Sequence, residues 1–156
     1  MRDCEIETRT LAEQPTAVRR ATLRVPEIGP WLGTVYAEVA GVLAAAGAGP
    51  AGPPFARYHR LGEDRFEVEA GFPATGPIEG TQTVQASSLP AGPAAATTYV
   101  GPYEEMEPVW AAIWAWMAEQ GVDPACDPWE VYLSDPASQP DPATWRTDVV
   151  APFRPR

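Results

Sequence analysis

The chain has 156 residues, of which 45% are hydrophobic and 21% charged, enough for one domain with a core of its own. Its formal net charge is −10 and every one of its 11 basic residues is arginine, a balance that excludes nucleic-acid binding by this chain alone and favours cationic or neutral ligands. No run approaches the roughly 18 apolar residues of a membrane span, and the opening MRDCEIETRT lacks an apolar signal core, so a cytoplasmic protein with no membrane association is expected.

Thirteen glycines and 19 prolines imply short elements punctuated by turns. Cys4 and Cys126 stand far apart, outside any CxxC pair and away from histidine. Two free thiols are expected, with no metal site and no cofactor.

In chain order, the first strands fall at 4–11 and 15–25. CEIETRTL alternates Cys4, Ile6 and Thr8 against Glu5, Glu7 and Arg9, the period of a half-buried strand. Glu27 to Ala46 is predicted as a helix, with Ile28, Trp31, Leu32, Val35, Tyr36, Val39, Val42 and Leu43 along one side. Gly29-Pro30 suits its start and Gly47 its end. Phe55 to Leu61 and Arg65 to Phe72 read as a hairpin around Gly62-Glu63-Asp64. A short strand near Thr81 to Ala86 is expected within the surface connection 73–93.

Ala94 to Val100 reads as a strand and Pro102 to Gln120 as a second helix. Met106, Val109, Trp110, Ile113, Trp114, Trp116 and Met117 form its apolar face. Gly121 caps it. Strands at Trp129 to Leu133 and over TWRTDVVAPF complete the chain.

The order repeats. Gly47 ends a helix and Pro54-Phe55-Ala56-Arg57-Tyr58 follows; Gly121 ends a helix and Pro128-Trp129-Glu130-Val131-Tyr132 follows at the same spacing. Gly29-Pro30-Trp31 likewise matches Gly101-Pro102-Tyr103. The predicted fold is α+β: duplicated strand-helix-strand-strand modules, with pseudo-two-fold symmetry around a central ligand cleft. One domain is expected over 1–156, with repeat halves of about 1–90 and 91–156.

Strand parity places Glu130 and Tyr132 on one face, with Ala56 and Tyr58 as their equivalents. Glu130 is an acid inside an apolar and aromatic strand. It is either an edge carboxylate reaching water or Arg57, or one kept for a ligand. Tyrosines at such places often fill core edges with their hydroxyls in water. If the strands converge on a groove, Tyr132, Tyr58 and Glu130 line it, and Tyr99 joins if its strand neighbours that of Trp129.

Tyr99-Val100-Gly101-Pro102-Tyr103, the helix from Trp110 to Trp116, and Trp129-Glu130-Val131-Tyr132-Leu133-Ser134-Asp135-Pro136 together resemble the GyrI-like small-molecule-binding domain. That family also supplies the effector-binding module of AraC-type and MerR-type multidrug regulators. The resemblance extends over essentially the whole chain and is more specific in the second half. It implies an aromatic cleft in which Glu130 meets cationic drugs and tyrosines line the rest; Tyr132, Tyr99 and Tyr103 are the candidates, Tyr58 and Tyr36 follow from the repeat, and Trp110, by its helical phase, is either core or reaches the cleft. The first strand begins within a few residues of Met1, which implies a stand-alone member. Among such members some inhibit DNA gyrase, and others are hydrolases that open cyclopropane-bearing electrophiles.

The expected partner is therefore a hydrophobic or cationic small molecule, bound for sensing or sequestration. The alternatives are hydrolysis, with Glu130 activating water and Tyr132 donating a proton, and a protein-inhibitor role with gyrase or a regulator as partner. Trp31 and Trp129 read as structural and His59 as a surface residue. Glu104, Glu105 and Glu107 fit a helix's first turn, where the macrodipole favours acids.

Overall fold

The computed structural model describes residues 5–134 and 138–156. Cys4, Asp135, Pro136 and the side chain of Glu104 lie outside that description. Contacts divide the chain into two compact units, Ala12–Ala91 and Met1–Leu11 with Gly92–Arg156. Both are α+β, and each contains the duplicated order strand-helix-strand-strand.

In the unit Ala12–Ala91, β2 (Gln14–Arg24) runs straight into α1 (Val25–Ala46), followed by β3 (Phe55–Arg60), β4 (Arg65–Pro73) and β5 (Gln85–Leu89). Its strands lie in the order β3-β4-β2-β5, all antiparallel. Val35, Val39 and Leu43 recur every four residues on α1 and are fully buried on the side that packs against β2 and β4. Each such side chain contributes about 1.5–3 kcal/mol.

The start of α1 differs from the sequence expectation. Pro26, not Pro30, occupies the first turn, and Glu27 accepts the Arg24 N–H at 2.8 Å, which is the return half of a capping box, since the Arg24 side chain has no acceptor to supply the other half. Pro30 lies inside the helix and withholds the N–H that the Pro26 carbonyl would accept. Both prolines are exposed, on the side of the helix that faces solvent. At 22 residues α1 is long and apolar enough to match a membrane span by composition, yet its buried stripe is taken by this sheet.

The other unit holds β1 (Glu7–Leu11), β6 (Gly92–Val100), α2 (Glu107–Gln120), β7 (Val122–Pro124), β8 (Trp129–Tyr132) and β9 (Arg146–Pro155). The strand order is β1-β6-β9-β8, antiparallel throughout, and β7 pairs with the end of β9. Met106, Val109, Ile113 and Met117 bury against Ala95, Val149 and Ala151, so α2 covers one face of this sheet. Gly47 and Gly121 close α1 and α2 alike, at φ 68° and 69°, in the left-handed region where glycine carries no Cβ penalty.

Three further expectations are corrected. The second helix does not begin at Pro102: Tyr103–Glu105 forms a 3-10 turn, and α2 starts at Glu107 with Pro108 in its first turn. The expected strand at Thr81 to Ala86 lies later, at β5. Trp114 is not core but 39% exposed, because the α2 face that meets the sheet is only as wide as Val109, Ile113 and Met117. β7 answers to no sequence signal, being three residues whose pairing to β9 is the whole reason for its form.

Candidate functional site

The site residues of the second unit gather on the α2 side of its sheet. Directly opposed residues of antiparallel strands share a face. Two rows cross β6, β9 and β8: Thr97, Val149 and Glu130, then Tyr99, Thr147 and Tyr132. Val149 packs under α2, so both rows look toward the helix. β6 is not the neighbour of β8, as the sequence reading required for Tyr99; β9 lies between them, and register alone aligns Tyr99 with Tyr132.

Glu130 is the centre of the arrangement. The Trp110 indole N–H donates to Glu130 Oε2 at 2.9 Å, and the Tyr132 hydroxyl donates to Oε1 at 2.8 Å. Trp110 reaches it from the edge of α2, three residues before the fully buried Ile113. Burial pushes the Glu130 carboxyl above its usual range; the two donated hydrogen bonds pull the other way and only partly offset it. Within its own unit, no arginine among the described residues pairs with it.

Tyr99 holds the turn that follows its strand. Its hydroxyl donates to the Pro102 carbonyl at 3.0 Å, and its ring lies against Gly101, whose φ is 145°. A Cβ there would stand 2.6 Å from the Tyr99 hydroxyl oxygen, so the turn requires glycine. The Gly101 N–H donates to the Trp145 carbonyl at 2.8 Å. This clamp presents Tyr103, whose ring meets Tyr132 edge-on at 5.4 Å and tilts over Trp145 at 4.7 Å. Trp114 stacks on Trp110 at 5.7 Å.

Trp145 is the residue that sequence reasoning missed. Its parity with Thr147 and Val149 in the final strand was the available signal. Its indole N–H donates to the Gln139 carbonyl at 2.7 Å.

Tyr36 and Tyr58 belong to the other unit. The Tyr36 hydroxyl donates to the Phe55 carbonyl at 2.9 Å and its ring meets Phe72, while Tyr58 meets Phe66 edge-on at 6.1 Å. That unit also carries an open groove of about 550 Å³ between the end of α1 and residues 77–81, which neither tyrosine lines. Among the described residues no group of three or more His, Cys, Asp and Glu side chains is placed to hold a metal.

Burial disfavours the charge of a carboxylate held among aromatic rings by two neutral donors, and a nearby cation favours it. A cation entering there gains both the carboxylate and the ring faces.

A family model described as the GyrI-like small molecule binding domain matches residues 4–154. No curated protein matches the sequence. Among solved structures, the EcmrR C-terminal domain superposes with a TM-score of 0.82 at 17% identity, covering 98% of this chain and 99% of that one. In the EcmrR-DNA complex the TM-score is 0.86, at 17% identity and 98% coverage of this chain, which spans 58% of the EcmrR length. A hydrolase from Listeria innocua gives 0.67 at 14% identity, covering 96% and 92%. SAV2435, solved bound to tetraphenylphosphonium, gives 0.68 at 12% identity, covering 96% and 94%. At these identities each likeness establishes the fold alone.

Proposed function

The chain belongs to the GyrI-like small molecule binding domain family, and from that premise we propose that it binds hydrophobic cations at Glu130, as a sensor or sequestering agent. The observation that carries this reading is the Glu130 carboxylate: two neutral donors, Trp110 and Tyr132, fix both oxygens, no arginine among the described residues of its own unit pairs with it, and the Tyr103 ring lies against that of Tyr132. Burial disfavours its charge, and a bound cation restores it. Each well-placed ring adds about 0.5–2 kcal/mol for a desolvating cation. The binding of tetraphenylphosphonium by SAV2435, a protein of the same fold, supplies a suitable probe.

The test is quenching of tryptophan fluorescence by tetraphenylphosphonium and by neutral triphenylphosphine oxide. Saturable quenching that is stronger for the cation supports the reading. Equal response to both, or none to either, removes it.

A second reading, hydrolysis, draws on the phenol of Tyr132 standing 2.8 Å from a carboxyl of raised pKa. Glu130 would take a proton from water attacking a cyclopropane carbon, and Tyr132 would give one to the departing carbon. Incubation with such an electrophile, followed by mass spectrometry for the gain of one water, separates turnover from binding. Loss of that product in Glu130→Gln would favour the enzyme.

A further inference from the structure

The duplicated module provides an internal comparison for every position of the site. Tyr58 pairs with Val68 as Tyr132 pairs with Thr147, and Ala56 pairs with Ala70 as Glu130 pairs with Val149. On these paired strands the second module departs from the apolar pattern of the first at two positions, Glu130 and Thr147. Val68 and Thr147 are both fully buried and nearly isosteric, so the difference between them is one hydroxyl.

That hydroxyl has no hydrogen-bond partner among the described residues. Its neighbours in the row do not serve it: the Tyr99 hydroxyl donates to Pro102 and the Tyr132 hydroxyl to Glu130. A buried hydroxyl left unsatisfied is destabilising, and an isosteric methyl would not be. Sheets place β6 and β8, on either side of β9, about 10 Å apart. Thr147 is thus the short side chain between two long rings, one row from Glu130. Thr147 is itself fully buried, so a flat ligand reaches its hydroxyl by displacing the rings on either side.

We propose that Thr147 is a specificity-determining residue, whose hydroxyl hydrogen-bonds a polar substituent on the cation held at Glu130. The inference rests on the binding reading above and narrows its ligand class to planar cations carrying a donor such as a ring amine.

The test uses the intact protein with ethidium, which carries ring amines, and its analogue lacking them. Thr147→Val should weaken ethidium about two- to tenfold, the range for one neutral hydrogen bond, and leave the analogue's affinity unchanged. The same variant should melt at a higher temperature than wild type, since the orphaned hydroxyl is gone. Thr147→Ser, which keeps the hydroxyl, should retain the preference for ethidium.

Equal weakening of both cations, or no change in either, overturns the proposal while leaving cation binding intact. Failure of wild type to bind either cation overturns the binding reading and this inference with it.

Discussion

Replacing Glu130 by glutamine isolates the charge at the centre of the site. Glutamine keeps an acceptor for the Trp110 indole N–H, and its amide can donate to the Tyr132 hydroxyl, so the geometry of both hydrogen bonds survives. What is lost is one negative charge. For a cation centred about 6 Å away at an effective dielectric near 20, that charge supplies about 3 kcal/mol, or roughly a hundredfold in affinity. Fluorescence titration with tetraphenylphosphonium should show that loss, while triphenylphosphine oxide binds the variant as it binds wild type.

Stability should move in the opposite direction. The folded-state pKa of Glu130 is raised above its ordinary 4.5, so the folded protein holds this proton more tightly than the unfolded chain. Its contribution to stability therefore falls as pH rises from about 4.5 through the raised folded value. Glu130→Gln should melt higher than wild type above that window, and the gain should vanish as pH falls toward 4.5. A lower melting temperature for the variant at neutral pH, or an unchanged affinity for the cation, would refute the reasoning.

Other substitutions test the surrounding structure. Trp110→Phe removes a hydrogen bond to a charged group, worth about 1.5–3 kcal/mol, so the Glu130 pKa should rise further. Tetraphenylphosphonium affinity followed against pH should then develop at a higher pH than in wild type; an unmoved midpoint contradicts the role given to the indole. Gly101→Ala places a Cβ at φ 145° against the Tyr99 ring, which should cost about 1–3 kcal/mol by urea unfolding and loosen Tyr103. Ile113→Ala empties a fully buried position beneath α2 and should cost about 2–5 kcal/mol in the same measurement. A cost below 1 kcal/mol at Ile113 would mean that α2 does not pack as described.

The local features of this chain were legible in its residues. Apolar spacing marked both helices, glycines at 47 and 121 marked their ends, and period-two alternation put Glu130 and Tyr132 on one face. These depend on neighbours within one or two turns, and backbone geometry fixes them wherever the segment sits. The matching spacing after Gly47 and Gly121 also exposed the duplication, because equal spacing imposes equal local structure.

What lay beyond reach depends on partners far along the chain. Nothing between residues 94 and 100 states that β9 will separate β6 from β8, yet that pairing aligns Tyr99, Thr147 and Tyr132. Trp110 and Trp114 both look apolar and helical in the sequence. Only the seating of α2 on its sheet gives one the Glu130 carboxylate and the other 39% exposure. Trp145 joins Tyr103 because a turn at Gly101 bonds to its carbonyl from 44 residues upstream. Sequence determined the elements and their faces, since those are set by short-range sterics and hydrophobic period. Tertiary structure decided which faces meet, because register and helix seating are chosen by packing between segments that carry no local record of each other.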